Sequence, residues 1–378
     1  MPVSLDHNKI GVHQVINLAV VGLGKMGLSH LSMARAHPRI NLAAICDSSG
    51  YVLDVLNKYT KVPVFTSFDK MLAEMQLDAV IIATPTHLHA PMVRAALDRG
   101  LHVFCEKPFC LDGDQGLALA DLAQTRGLVT QVGYHNRFVA SFREVKSLLD
   151  QGAIGQVNRV LAEAYGPVVL KPSGGGWRSR RAAGGGCLYD YAAHPIDLAN
   201  WYLGSPIGAG GSVLSKVFST EIDDQVSSTL YYPGDVSAQV SVSWSDESQR
   251  KMSTKLSIWG TQGKISVDRQ DLNVYLRDGA RIPPGYSAGW NVRYTTELTP
   301  PVWFYLRGEE YSAQIDSFVH RVEVGELRGL NDFGSAIETD RALALILADS
   351  QRGGAMASPV AADIPAPSAR RWRSRVSR

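Results

Sequence analysis

The 378-residue chain has no run of about 18 apolar residues, the length needed to cross a hydrocarbon core, so no membrane-spanning helix is expected. Cysteine is scarce. Cys46, Cys105, Cys110 and Cys187 form no CxxC pair and stand in apolar or glycine-rich surroundings. That pattern speaks against a disulfide framework and for reduced packing thiols in a cytoplasmic protein. Charge of either sign is also short of an excess, since 38 Lys+Arg against 36 Asp+Glu leave +2. Five of the positive charges sit in Arg370–Arg378, so the rest of the chain is slightly acidic and no specific nucleic-acid partner is expected. The opening MPVSLDHNKIGVHQ has neither a basic start nor an apolar stretch, so no secretory leader is expected and the location reads as cytoplasmic. Repeats of solenoid period are missing as well. What is present is 45% hydrophobic and 20% charged residues, which excludes a disordered or collagen-like chain, and a length that suggests two domains.

Residues 15–135 alternate short β-branched runs with helical stretches. Strands are expected at 15–21, 41–46, 78–84, 101–105 and 128–133, with helices at 26–37, 91–99 and 113–126. Near-continuous apolar strands separated by helices imply a parallel sheet covered on both faces, the doubly wound arrangement. Past residue 150 the rhythm changes. VSAQVSVSW and its neighbours at 157–164, 225–232, 255–258 and 264–267 alternate apolar and polar residues, the mark of an open, mostly antiparallel sheet with one face on a core. The expected division is a Rossmann domain over 1–135 and an α/β substrate and oligomerisation domain over 136–334. A closing helix over 335–350 would pack back on the first domain, ahead of a disordered basic tail over 353–378. An open antiparallel face needs a cover, so a homodimer or homotetramer through it is expected.

Gly22-Leu23-Gly24-Lys25-Met26-Gly27 follows the first strand and opens the first helix, the context a dinucleotide cradle requires. Gly22 permits the turn, Gly24 lets a pyrophosphate approach, and Gly27 lets helix and strand pack closely, while the helix N-terminus faces the anion. Asp47 ends the second strand where a carboxylate can accept from the adenosine ribose. Ser48 and Ser49 follow it rather than an arginine, which favours NAD and leaves NADP as the alternative. A glycine-rich turn beside a solvated aspartate is the plainer reading of the same residues.

Two segments could carry hydride chemistry. Thr84-Pro85-Thr86-His87-Leu88-His89 and Glu106-Lys107-Pro108 end buried strands, at the edge where ligands of open α/β sheets gather. Oxidising an alcohol requires a group that takes the hydroxyl proton. Lys107 can polarise the oxygen or orient a base, although a lysine at a strand end is also an ordinary solvated charge. Further on, in GGGCLYDYAAHPID, a helix opening after Gly184–Gly186 would put Asp190, His194 and Asp197 at i, i+4 and i+7 on one face. Such a face suits proton transfer, a buried polar network or a metal, and spacing alone leaves the three open.

Taken together, AVVGLGKMG, the TPxxxH segment from Thr84 to His89, HVFCEKP, GxxxRF from Gly133 to Phe138, and GGGxxxDxxxHxxD resemble the Gfo/Idh/MocA family of NAD(P)-dependent oxidoreductases over residues 15–350. The resemblance implies an enzyme acting on a secondary alcohol of a sugar, cyclitol or nucleotide sugar. It implies Lys107 and His194 as the catalytic pair, with Asp190 holding substrate hydroxyls and orienting His194. Glu106 would face the nicotinamide, next to a Lys107–Pro108 bond able to be cis. Tyr134, His135, Asn136 and Arg137 would rim the nicotinamide and substrate. The cofactor contacts it implies are Gly22, Gly24, Lys25, Met26, Gly27, Asp47, Thr84, Pro85, His87, His89, Glu106, Lys107, Trp177 and Arg178, and no metal is expected.

Two departures stand out. Ala192 replaces a glycine common between the family's Asp and His. In Trp177-Arg178-Ser179-Arg180-Arg181 the Trp-Arg pair is family-like, but three arginines in four residues are unusually basic. Arg180 or Arg181 can meet an anionic substrate group such as a uronate or diphosphate, or can simply be solvated. The rival readings are a glycosidase that retains its NAD and a non-catalytic dinucleotide sensor.

Overall fold

The structure is a computed structural model that describes residues 15–168, 177–301 and 308–353. The tail expected after Gly353 lies outside the described residues. The chain begins with β1 (Ile16–Val21), α1 (Lys25–Ala36), β2 (Ile40–Cys46), α2 (Gly50–Thr60), β3 (Val64–Phe65) and α3 (Phe68–Glu74). It continues through β4 (Ala79–Ile82), α4 (His89–Asp98), β5 (His102–Cys105), α5 (Gly113–Thr125) and β6 (Thr130–Val132). These six strands form a parallel sheet in the order β3-β2-β1-β4-β5-β6. The buried strands read as apolar runs because both faces are covered. Leu18 and Val20 of β1 enter one core with Leu31 and Phe318, while Ala19 and Val21 enter the other with Val93 and Leu119. The order reverses between β1 and β4, which opens a crevice at their carboxyl ends.

The second half contains α6 (Ala140–Asp150), β7 (Val157–Tyr165), α7 (Ala193–Leu203), β8 (Gly208–Ser215), β9 (Gln225–Tyr232) and β10 (Val236–Ser243). After them come β11 (Ser253–Gly260), β12 (Gly263–Val267), β13 (Asp271–Leu276), β14 (Gly289–Tyr294), α8 (Thr295–Leu298), α9 (Glu309–Val324) and α10 (Phe333–Gly353). Eight strands pair in the order β14-β13-β12-β11-β7-β10-β9-β8, antiparallel except where β7 meets β10. One face supplies Val160, Ala162, Ile258 and Val240 to a core shared with Ile196 of α7 and Phe142 of α6. The other carries exposed Val213, Tyr231, Tyr275, Trp290, Val292 and Tyr294.

Two late helices tie the halves together. Phe318 and Val319 of α9 sit in the core over the first sheet, with Phe318 edge-on to Phe104 of β5. The helix α10 lies against α5 on one side and against α7 and β8 on the other. Among the described residues, no helix is long and apolar enough to cross a membrane.

Candidate active site

The crevice begins at the glycine loop. Gly22 has φ +85°, and a Cβ there would lie 2.8 Å from the Ala83 carbonyl and the Thr84 nitrogen, so only glycine lets the loop after β1 touch the loop after β4. A Cβ on Gly27 would fall 1.6 Å from the Gly22 oxygen. Gly24 faces open space instead. Ser49, Ser67 and Asp112 cap α2, α3 and α5 with their side chains, but α1 starts at Gly24 with no side-chain cap. The first turn of α1 therefore presents its backbone N–H groups to an anion, beside exposed Lys25 and half-buried Met26. Asp47 accepts from Leu23 N at 2.5 Å and from Ser49 N at 2.8 Å, which locks the cradle to the end of β2. Each of its oxygens keeps a lone pair for a ribose hydroxyl. An open glycine, an uncapped helix start and a carboxylate at the β2 edge together fit a dinucleotide.

At the end of β5 the Lys107–Pro108 bond is cis. The Lys107 amino group donates to Asp190 Oδ1 at 2.7 Å and to the Asp190 carbonyl at 2.8 Å. Arg178 donates from Nε to Asp190 Oδ2 at 3.0 Å. Burial pushes the Asp190 carboxyl up, but Lys107 and Arg178 more than offset this and hold it below the usual carboxylate range. The glycine triplet makes this meeting possible. A Cβ on Gly184 would strike Thr86 at 2.7 Å, one on Gly185 the Arg178 oxygen at 2.3 Å, and one on Gly186 Asp223 at 2.5 Å.

Asp190 stands in a π-helical turn, Leu188–Ala192, that leads into α7. The wider turn changes the one-face expectation. Asp190 faces Lys107 and Arg178, whereas Asp197 is fully buried and paired with Arg137. Among the described residues no hydrogen bond joins Asp190 to His194, so the orienting role expected of Asp190 is not seen. His194 is buried, its Nδ1 has no protein partner among the described residues, and its ring packs against His135 at 5.2 Å and Tyr134 at 6.5 Å between centroids. Burial first, then the charges of Lys107 and Arg269, push its pKa well below the ordinary imidazole value, which favours the neutral ring.

Beside them, Glu106 Oε1 lies 2.7 Å from His30 Nε2, and its Oε2 accepts from Lys107 N at 3.2 Å. A Cβ on Gly133 would land within 2.6–2.8 Å of the Glu106 carboxyl group, so the GxxxRF glycine leaves room for this carboxylate.

Several expected contacts are placed elsewhere. His89 is buried, and both its ring nitrogens are taken, Nδ1 by the Pro108 carbonyl and Nε2 by the Thr84 carbonyl, each at 2.9 Å. It joins the two loops rather than reaching a cofactor. Thr84 and Pro85 are half-buried and His87 is exposed. Arg137 is no rim residue. Its guanidinium grips Asp197 at 2.7 and 2.9 Å, along with Leu330 O and Ser335 Oγ. Tyr134 is fully buried, so it too is core. Both amide atoms of Asn136, like the Tyr134 hydroxyl, are buried without a protein partner among the described residues. An amide so placed suits a ligand or water. Arg181 pairs through Nη2 with Asp223 at 2.7 Å while its Nη1 has no hydrogen-bond partner among the described residues, and Arg180 is exposed. Trp177 is half-buried, with the Arg178 guanidinium 5.3 Å over its ring.

Sequence reasoning missed His30, Tyr311 (stacked on His135 at 4.6 Å) and Arg269 (paired with Glu310). For His30 a signal existed, three residues past the last glycine of the cradle. For the other two no local pattern points to the site. Among the described residues no cluster of three His, Cys, Asp or Glu side chains could hold a metal ion.

A glycine cradle at the switch point, facing a lysine, a carboxylate and a neutral histidine, defines a dinucleotide-binding oxidoreductase. The family model "Oxidoreductase family, NAD-binding Rossmann fold" matches residues 16–134, and "GFO/IDH/MocA C-terminal domain" matches residues 142–266. The chain belongs to the GFO/IDH/MocA family, whose cofactor is NAD. It is 24% identical over 321 residues to inositol 2-dehydrogenase of Rhizobium meliloti, covering 82% of this chain and 89% of that protein. Against an uncharacterized oxidoreductase of Schizosaccharomyces pombe it is 27% identical over 177 residues, 46% of this chain, and spans only 48% of that protein. Levoglucosan dehydrogenase in complex with NADH and levoglucosan shares the fold with a TM-score of 0.76 at 20% identity, over 89% of this chain and 97% of that one.

Proposed function

We propose that this chain moves hydride between NAD and a secondary alcohol of a sugar, cyclitol or nucleotide sugar, with Lys107 and His194 as its catalytic residues. The observation that carries the reading is Lys107, at the end of β5, clamped to Asp190 one turn ahead of the buried His194. Bound NAD supplies the hydride acceptor. Gly22, Gly24, Gly27 and Asp47 would hold it, with Glu106 and Asn136 as polar groups able to meet its nicotinamide end. His194 takes the hydroxyl proton on an imidazole nitrogen. Lys107 donates to the same oxygen and stabilises charge as the proton leaves. Relatives named for inositol and nucleotide-sugar reactions support this substrate class. The exposed aromatic face of the second sheet supports a homodimer or homotetramer.

The test is nicotinamide absorbance with NAD and a panel of inositols, aldoses, uronates and nucleotide sugars. NAD reduction by one class, lost in His194→Ala while NADH affinity is kept, is the expected result. Silence across the panel with NADH still bound overturns the reading in favour of a retained-cofactor glycosidase or a sensor.

A further inference from the structure

Arg178 and Lys107 reach Asp190 from opposite sides. Lys107 arrives from the end of β5, and Arg178 from the one-turn segment Trp177–Ser179. Each cation occupies its own carboxylate oxygen, at 2.7 Å for Lys107 and 3.0 Å for Arg178. Asp190 and Lys107 are nearly enclosed, with side-chain exposures of 8% and 13%, whereas that of Arg178 is 51%. The Asp190 carboxylate in turn raises the Cys187 thiol and the Tyr191 phenol beside it, both already pushed up by burial.

A buried lysine–carboxylate pair alone would be electrically closed, and the aspartate would hold the ammonium against any substrate oxygen. Two cations on one carboxylate leave a net positive charge. Sharing the aspartate also weakens its grip on the lysine. The glycine triplet keeps the arrangement in register, because a Cβ on Gly185 would drive the Arg178 backbone away. Resting on the oxidoreductase reading above, we infer that Arg178 is a positioning residue that acts through Asp190. It fixes the carboxylate plane and leaves Lys107 with an uncompensated charge aimed at the reacting oxygen. It does so through its Nε, which donates to Asp190.

The test uses the full-length protein with its best alcohol substrate. In Arg178→Ala, kcat falls on the order of tenfold, the scale of one lost charged hydrogen bond, while the NADH dissociation constant moves less than about twofold. Because the side chain is half exposed, guanidinium added to the solution restores part of the kcat of Arg178→Ala, and Arg178→Lys keeps more of the wild-type kcat than Arg178→Ala does. The arginine effect also shrinks toward nothing in an Asp190→Asn background, as a double-mutant cycle requires of two groups that act as one. A rise in the NADH dissociation constant with kcat unchanged would overturn the inference and make Arg178 a cofactor contact. Loss of kcat that neither guanidinium nor lysine restores, or that persists undiminished beside Asp190→Asn, overturns it as well. Failure of the oxidoreductase reading itself shows separately, as absence of turnover in the wild-type protein.

Discussion

Replacing Arg137 with methionine tests whether this residue belongs to the core or to the substrate rim. Its side chain is 3% exposed and faces Asp197, which is 1% exposed. Without the guanidinium, the Asp197 carboxylate keeps, among the described residues, only the Thr339 hydroxyl at 3.3 Å. A carboxylate so enclosed takes up a proton. From an ordinary value of 3.8, doing so at pH 7 costs about 1.36 kcal/mol per pH unit, or roughly 4 kcal/mol at most. Burial already pushes Asp197 up with Arg137 present, so part of that cost exists in the native protein. The unmade bonds to Leu330 and Ser335 add to the loss. The expected destabilisation is about 3–5 kcal/mol at pH 7, the range for a broken buried pair. The sign with pH is fixed: a carboxyl whose folded pKa is raised costs more stability as pH climbs above its unfolded value. The defect should therefore shrink at pH 5, by up to about 2.7 kcal/mol. Urea unfolding at both pH values, followed by tryptophan fluorescence, measures it. Asp197→Asn added to Arg137→Met should recover part of the loss at pH 7 and little at pH 5. Unchanged stability together with a raised substrate KM would refute the argument and return Arg137 to the rim.

Gly133→Ala should push the Glu106 carboxylate off His30, because the new methyl lands 2.6–2.8 Å from it. Overpacking should cost about 1–3 kcal/mol of stability and the displaced carboxylate should lower turnover, whereas stability and kinetics equal to wild type would show that Glu106 has room to move. On the outer face of the second sheet, Trp290 is 63% exposed and pairs across the strands with Tyr275. Light scattering should find the wild type as a multiple of one chain, and Trp290→Glu with Val292→Glu should dissociate it. A wild-type monomer would end the oligomer proposal.

The cradle was legible because contact geometry enforces its spacing. Gly27 cannot carry a methyl 1.6 Å from the Gly22 oxygen, and Gly22 needs its positive φ, so the GxGxxG pattern stays in the sequence. The doubly wound sheet was legible for a similar reason, as strands covered on both faces must be apolar throughout. The two-residue β3 and the strands β8, β13 and β14 were not expected. GAGGSVLS opens with glycines that carry no pattern, and GWNVRY alternates with an apolar side that faces outward.

At the site the limit was different in kind. Asp190 and Asp197 share one helical pattern, yet the first is clamped by Lys107, 83 residues away, and the second by Arg137, 60 residues away. Nothing local to either aspartate says which cation it will meet. Arg137 sits directly after the His135-Asn136 pair and so read as a rim residue, but a single 3₁₀ turn, His135–Phe138, points neighbours in opposite directions. Its fate followed from α7 and α10, whose Asp197, Ser335 and Thr339 enclose it. A motif therefore names the residue types that hydride chemistry needs. Which carboxylate stays at the reacting end and which is consumed in the core is decided by the cations that the fold brings to each.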